Sequence, residues 1–169
     1  IDSRNGLEPP DDGIRPVIID THNAHVERLN LSELNSLRGK EFRFPAIDKC
    51  RPQYAKQLNR DCLAPEVLQL KVGAQVMLLA NLDLENGLAN GSLGVVVDLG
   101  TNLVRVRFGK GPVVDLEHHT WEIQNNGEVL ASRTQFPVRL AWACTAHKVQ
   151  GLTLDRIICN LGQTFEAGQ

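Results

Sequence analysis

The sequence predicts an α/β domain interrupted by a small inserted β-barrel, and three observations lead there. A short strand-like run, Arg15 to Asp20, is followed by apolar residues at helical spacing, which is the opening of an α/β unit. Residues 67–135 then change character, into short alternating runs separated by Asn-Gly and Gly-rich turns. From Phe136 the alternation stops. A long apolar approach leads through a polar, glycine-bearing loop at 145–153 into a second apolar run at Ile157, Ile158 and Leu161. Strand, polar loop, strand is how such domains present side chains at a sheet edge.

The 169 residues suit one domain, or one domain carrying an insert. A hydrophobic fraction of 42% is enough for a core, and the net charge of −2 gives no global attraction to nucleic acid. Any such binding must rest on a local patch. No apolar run approaches the ~18 residues of a membrane span, and no signal peptide opens the sequence. An intracellular protein without a membrane partner is therefore expected. Cys50, Cys62, Cys144 and Cys159 form no C-x-x-C pair, so no metal site is expected.

Residues 1–14 are polar and contain Pro9, Pro10 and Gly13, which predicts a linker. A short buried strand follows over 15–20. A helix is expected over 21–37, with Val26, Leu29, Leu34 and Leu37 inward, Thr21 or Asn23 as cap, and Gly39 as stop. Asn30 falls near the inner face and reads as a satisfied buried amide. Residues 41–48 alternate Phe42, Phe44 and Ala46 against polar neighbours, and Pro45 favours an edge strand. Residues 49–64 are polar and irregular, as in a long loop.

Between 67 and 135 five strands in under ~70 residues suggest a small barrel. Asn86-Gly87, Asn90-Gly91 and Asn126-Gly127 punctuate the apolar runs, and Asn-Gly there is a strong hairpin signal, because both residues tolerate positive φ. Arg105 and Arg107 share one strand face. That face reads first as solvated, with phosphate contact as the alternative. His118 and His119 are adjacent in a strand and point to opposite faces, which argues against a shared ligand role. Trp121 reads as barrel core before stacking platform, and Trp142 as buried. Asn90-Gly91 reads as turn chemistry first and DNA contact second.

Two stretches carry a family resemblance: LKVGAQVMLLANLDLENGLANGSLGVVVDL (70–99) and FPVRLAWACTAHKVQGLTLDRIICNLGQTFEAGQ (136–169). Together with a looser match from IIDTHNAHVERLN to EFRFPAID, they resemble the Pif-type DNA helicases (petite integration frequency) of superfamily 1B. The resemblance covers almost everything from Arg15 onward. It implies a partial RecA-like (P-loop NTPase-like) domain, the family's second, with an inserted Src-homology-3-like barrel. Residues 15–66 and 136–169 would be its two parts and 67–135 the insert. It also implies ATP hydrolysis with Mg2+ in the complete enzyme, movement along single-stranded DNA in the 5′-to-3′ direction, and a first RecA-like domain as partner. Nuclear or mitochondrial residence in a eukaryote, and work in replication, recombination, repair or telomere maintenance, are family associations.

By the same resemblance the fifth helicase motif falls on residues 145–153. Thr145, His147 and Lys148 would face DNA, whose backbone a hydroxyl, an imidazole and an ammonium can hold without reading a base. Gln150, Gly151 and Thr153 would approach the nucleotide, Gly151 allowing close backbone approach. A loop touching both would couple hydrolysis to strand movement. Val149 departs from the family, which has serine there. The family's sixth motif follows the point where this sequence ends, and its arginine finger can be worth about 10³–10⁵ in rate in other NTPases. No G-x-x-x-x-G-K-[ST] loop occurs in these 169 residues. The isolated chain is therefore expected to bind no nucleotide cofactor alone and to be inactive as an ATPase. The alternatives are a stand-alone single-stranded-DNA-binding module or an inactive remnant.

Overall fold

A computed structural model describes residues 11–149, 154 and 156–159. The chain is α/β. A small parallel sheet has β1 (Val17–Asp20) at its centre, flanked by β12 (Ala143–Thr145) and β13 (Ile157–Cys159). Asp20 and Thr145 are register partners at the ends of their strands. The helix α1 (Asn23–Ser36) packs on β12. Val26, Asn30 and Leu34 are its buried residues, so the inner face follows the sequence pattern. The Asn30 amide accepts from the Trp142 and Ala143 N–H groups (3.1 and 2.9 Å) and donates to the Ala143 carbonyl (3.0 Å). It is the satisfied amide that its position suggests, and it fixes the helix against β12.

The ends of α1 differ from expectation. His22 is the N-cap and makes no side-chain capping bond; neither Thr21 nor Asn23 takes that role. The Asp20 carboxylate instead accepts the His22 N–H (2.9 Å). At the other end the helix stops before Gly39. Lys71 Nζ donates to the Leu37 carbonyl (3.1 Å), a cation at a helix C-terminus.

The expected single strand at 41–48 is two strands, β2 (Phe42–Pro45) and β3 (Ile47–Cys50). The 49–64 segment is not a long loop. After β3 it forms a 3-10 turn (Pro52–Tyr54) and the helix α2 (Ala55–Asp61). Its sequence lacks an apolar period because only Leu58 of α2 is buried. Long-range contacts hold it instead. Arg133, 2% exposed, binds both carboxylate oxygens of Asp48 (2.8 Å each), the Asn59 side-chain oxygen (2.5 Å) and the Ala64 carbonyl (3.1 Å).

The next strands are β4 (Val67–Leu70), β5 (Gln75–Leu78), β6 (Leu93–Gly100), β7 (Leu103–Phe108) and β8 (Val113–Asp115). Then come β9 (His119–Asn125), β10 (Glu128–Gln135) and β11 (Val138–Leu140). Their sheets are β11-β5-β6-β7-β8, β3-β10-β9 and β2-β4. None of these sheets closes on itself among the described residues, so the strands are seen as open sheets and the barrel closure that their spacing suggested is not shown. Strand pairing also links segments far apart in sequence: β2 pairs with β4, β3 with β10, and β11 with β5. Pro45 does sit on a strand with one neighbour, as an edge proline should.

The hairpin between β9 and β10 turns at Asn126 (φ 49°) and Gly127 (φ 81°), as Asn-Gly predicts. The largest core cluster joins these sheets to α1 through Leu34, Leu70, Val76, Val106, Phe136 and Trp142. Trp121 is half-buried and packs on a second cluster around Leu58 and Ala131. Gly94 sits where β6 meets β7 at close range. A Cβ there would lie 2.6 Å from Val106 and 2.9 Å from the Arg107 carbonyl.

Two more buried amides tie the pieces together. Gln75 accepts from the Arg15 N–H (2.8 Å) and donates to the Arg15 and Ala141 carbonyls (2.9 and 2.8 Å), joining the approach to β1 with β5 and the end of β11. Gln135 donates to the Phe44 and Pro65 carbonyls (2.8 and 3.3 Å) and accepts the Phe136 N–H (3.0 Å). Buried backbone groups need such partners where no strand supplies them.

Candidate functional site

Ligands of open α/β sheets bind beyond the carboxyl ends of parallel strands. Here that edge holds Asp20 from β1 and Thr145 from β12, with α1 starting just after one and α3 (Ala146–Val149) just after the other. The sequence between 17 and 23 puts polar groups there because apolar Val17 is buried in the sheet while Asp20, Thr21 and His22 emerge past its end.

Of the expected DNA-facing residues, Thr145 is 5% exposed, and its Oγ1 is buried with no hydrogen-bond partner among the described residues. A buried hydroxyl without a partner costs roughly 1–3 kcal/mol, so this atom is notable. His147 is exposed on α3. Lys148 is half-buried and turned toward the end of α2, where its Nζ donates to the Arg60 and Cys62 carbonyls (3.4 and 3.3 Å). Burial lowers the Lys148 ammonium from its usual range, and the nearby Arg139 charge lowers it further. Thus the end of β12 and the start of α3 bring Thr145 and His147 to one edge, while Lys148 also closes the C-terminus of α2. The expected nucleotide-facing residues, Gln150, Gly151 and Thr153, lie outside the described residues.

One pair at this edge was not foreseen from sequence. His25 Nδ1 is 2.5 Å from Asp20 Oδ2, and the His22 N–H donates to Asp20 Oδ1. The His22 amide first, and His25 second, hold the Asp20 carboxyl down at about 2. The signal was available in retrospect: Asp20 and His25 are one strand-to-helix junction apart. Thr21 Oγ1 also meets His22 Nδ1 at 3.0 Å.

Other candidates resolve structurally. Arg105 pairs with Asp115 (2.6 Å) and Asp98 (3.4 Å), and Arg107 donates to the Asp12 carbonyl (3.3 Å). His118 stacks on Phe136 and His119 meets Trp121 edge-on, so the two imidazoles serve different neighbours. The Asn90 N–H donates to Asn81 (2.8 Å), and Gly91 has φ 97°, the turn role expected first. Trp142 is buried. Cys50, Cys62 and Cys144 are free thiols, and burial pushes those of Cys62 and Cys144 up. No cluster of three metal-ligating side chains occurs among the described residues, and no described helix is long and apolar enough to cross a membrane.

Comparison with known proteins places this geometry. Residues 53–99 match the family model for the 2B domain of DNA helicase Pif1. The human ATP-dependent DNA helicase PIF1 is 43% identical over 161 residues, covering 94% of this chain and 25% of the relative. The chain thus spans about a quarter of that protein's length. Among solved structures, Pif1 helicase from Candida albicans superposes with a TM-score of 0.75 at 32% identity, covering 94% of this chain and 42% of its own. Bacteroides Pif1 in complex with ADP-AlF3 and single-stranded DNA gives 0.64 at 35% identity, covering 88% and 35%.

Proposed function

We propose that this chain, which belongs to the Pif1-type superfamily 1B helicases, supplies the DNA-to-ATP coupling wall of an ATP-dependent 5′-to-3′ DNA helicase. The observation that carries the proposal is the position of residues 145–149. Thr145 ends β12 at the carboxyl edge of the parallel sheet with a buried hydroxyl that has no partner among the described residues, and α3 follows directly.

In this reading residues 15–66 and 136–169 belong to the second RecA-like domain and 67–135 to its insert. The Src-homology-3-like closure of that insert is part of the proposal, supported by the 2B match at 53–99. Thr145 and His147 hold the DNA backbone. Lys148 braces the loop against α2 and adds positive charge close to the strand. Gln150, Gly151 and Thr153 face the nucleotide. The Walker loop, the Mg2+ ligands and the arginine finger come from other parts of the complete protein, including the first RecA-like domain. ATP binding closes the cleft between the domains, and the loop passes that closure to the DNA as movement of the strand. Thr145 and His147 supply hydrogen bonds that recognise phosphate and sugar rather than base, which suits a motor that must pass every sequence.

The test is binding of this chain to a single-stranded oligonucleotide across a salt series. Affinity falls steeply as salt rises, and joint His147→Ala and Lys148→Ala substitution weakens it and flattens the salt dependence. Binding that ignores both salt and the double substitution sinks the assignment. Purified chain shows no ATP turnover; robust turnover refutes the division of labour described above.

A further inference from the structure

A cleft of about 310 Å³ opens beside the middle of α1, between β4 and β11. Glu27 and Leu31 reach it from the helix, Pro65 and Val67 from the entry to β4, and Arg139 and Leu140 from β11. The two strands touch, yet they belong to different sheets. Among the described residues β4 pairs only with β2, and β11 only with β5. Both are therefore edge strands, and the cleft lies on the seam between them. Edge strands present backbone groups that an added segment can use.

Two observations mark this cleft as a binding site. The first is Arg139. Its Nε is buried without a partner, and no ion pair holds its guanidinium among the described residues. Arginine carries five N–H donors and no acceptor, so a buried one without an acceptor is costly. Elsewhere Arg133 has Asp48 and Arg105 has Asp115. Glu27 lines the same cleft as Arg139 and does not pair with it. The Arg139 charge instead reaches Lys148, whose ammonium it lowers. The second observation is the wall. Leu31 and Val67 are 42% and 45% exposed, and both face this cleft. Pro65 and Leu140 continue the same surface. Apolar side chains converging on one unmatched donor make the composition of a ligand pocket.

We infer that the cleft docks an extended protein segment, which sets a carboxylate on Arg139 and an aliphatic side chain against Leu31 and Val67. The guanidinium fork suits the two parallel N–H···O bonds that a carboxylate accepts. The strand edges hold the backbone of the segment, as in strand addition. A phosphate would also accept from Arg139. The wall decides against a nucleic acid strand, because its apolar residues are aliphatic and give a base no ring to stack on. Glu27 also repels the next phosphate along such a strand. The inference is independent of the proposed DNA contacts, since Thr145, His147 and Lys148 do not line the cleft.

The experiment titrates the 169-residue chain with labelled acetyl-Leu-Asp-Leu-Val-amide, read by fluorescence anisotropy. The same peptide with asparagine for aspartate is the control, and oligothymidylate is the second arm. Wild type binds the aspartate peptide more tightly than the asparagine one. Arg139→Gln weakens the aspartate peptide about tenfold, as loss of a charged hydrogen bond does, and leaves the asparagine peptide nearly unchanged. That cross term isolates the contact between carboxylate and guanidinium from any general loss of fold. Leu31→Ser, at an exposed position of α1, weakens both peptides several-fold with the melting midpoint unchanged. His147→Ala leaves peptide binding unchanged, so failure of the DNA contacts and failure of this site are read separately. Affinity that ignores both the asparagine exchange and Arg139→Gln overturns the inference, and so does failure of wild type to bind the aspartate peptide. If Arg139→Gln and Leu31→Ser weaken oligothymidylate and spare the peptide, the cleft belongs to nucleic acid and the inference fails.

Discussion

The antiparallel sheets and the small parallel sheet differ in how they treat their polar groups. Across the antiparallel part the largest buried polar side chains are closed off, while Asn90 Oδ1 and Arg139 Nε are buried without a partner among the described residues. Arg133 is saturated by Asp48, Asn59 and the Ala64 carbonyl, and Gln135 by three backbone groups. The carboxyl edge of the parallel sheet leaves its groups open: Thr145 Oγ1 has no partner among the described residues, α1 has no side-chain cap, and His147 is exposed. An unsatisfied buried group is costly anywhere. At the edge where α/β domains bind ligands, the Thr145 hydroxyl lies beside a helix start without a side-chain cap and an exposed imidazole, which separates this edge from the scaffold.

The sharpest way to break that division is to attack the scaffold. Arg133→Met strands Asp48 and Asn59 and should cost about 3 kcal/mol in a denaturant titration, with α2 loosening first. A loss below about 1 kcal/mol would mean that the network is decoration. Gly94→Ala follows at about 2 kcal/mol, because the new Cβ meets Val106 and the Arg107 carbonyl. Its cost should appear in stability, with the salt dependence of DNA binding untouched.

At the site the effects are smaller and depend on conditions. The Asp20 carboxyl titrates lower in the folded chain, at about 2, than its ordinary 3.8. A group depressed by folding contributes stability that is present above the unfolded value and lost as pH falls toward the folded one. Melting followed between pH 4 and pH 2 should therefore decline less steeply in Asp20→Asn than in wild type. Parallel curves would remove Asp20 from the account of this edge.

Much of the scaffold was legible locally. Val26, Asn30 and Leu34 lie at helical spacing, and Asn126-Gly127 announces its hairpin, since both follow from a few adjacent residues. Strand partnership was not legible. The pairing of β3 with β10 joins Cys50 to Ala131, and α2 depends on Arg133, more than seventy residues after Asn59; neither leaves a periodic trace in its own segment. The same limit explains the expected barrel: turn spacing counts strands but does not say whether the first and last meet. At the candidate site, Thr145, His147 and Lys148 were singled out through their surrounding motif. The brace from Lys148 to α2 was invisible because it joins residues 86 positions apart, whereas the grip of Asp20 on His25 spans one strand-to-helix junction and had a local signal.

Thr145→Val separates scaffold from site within one residue, because it replaces the orphan hydroxyl by a methyl of nearly the same shape. Stability and oligonucleotide affinity should be measured on the same preparation. The account predicts a chain more stable by about 1 kcal/mol that binds single-stranded DNA several-fold more weakly. Unchanged DNA affinity in the variant would contradict the claim that this edge faces a phosphate-bearing ligand.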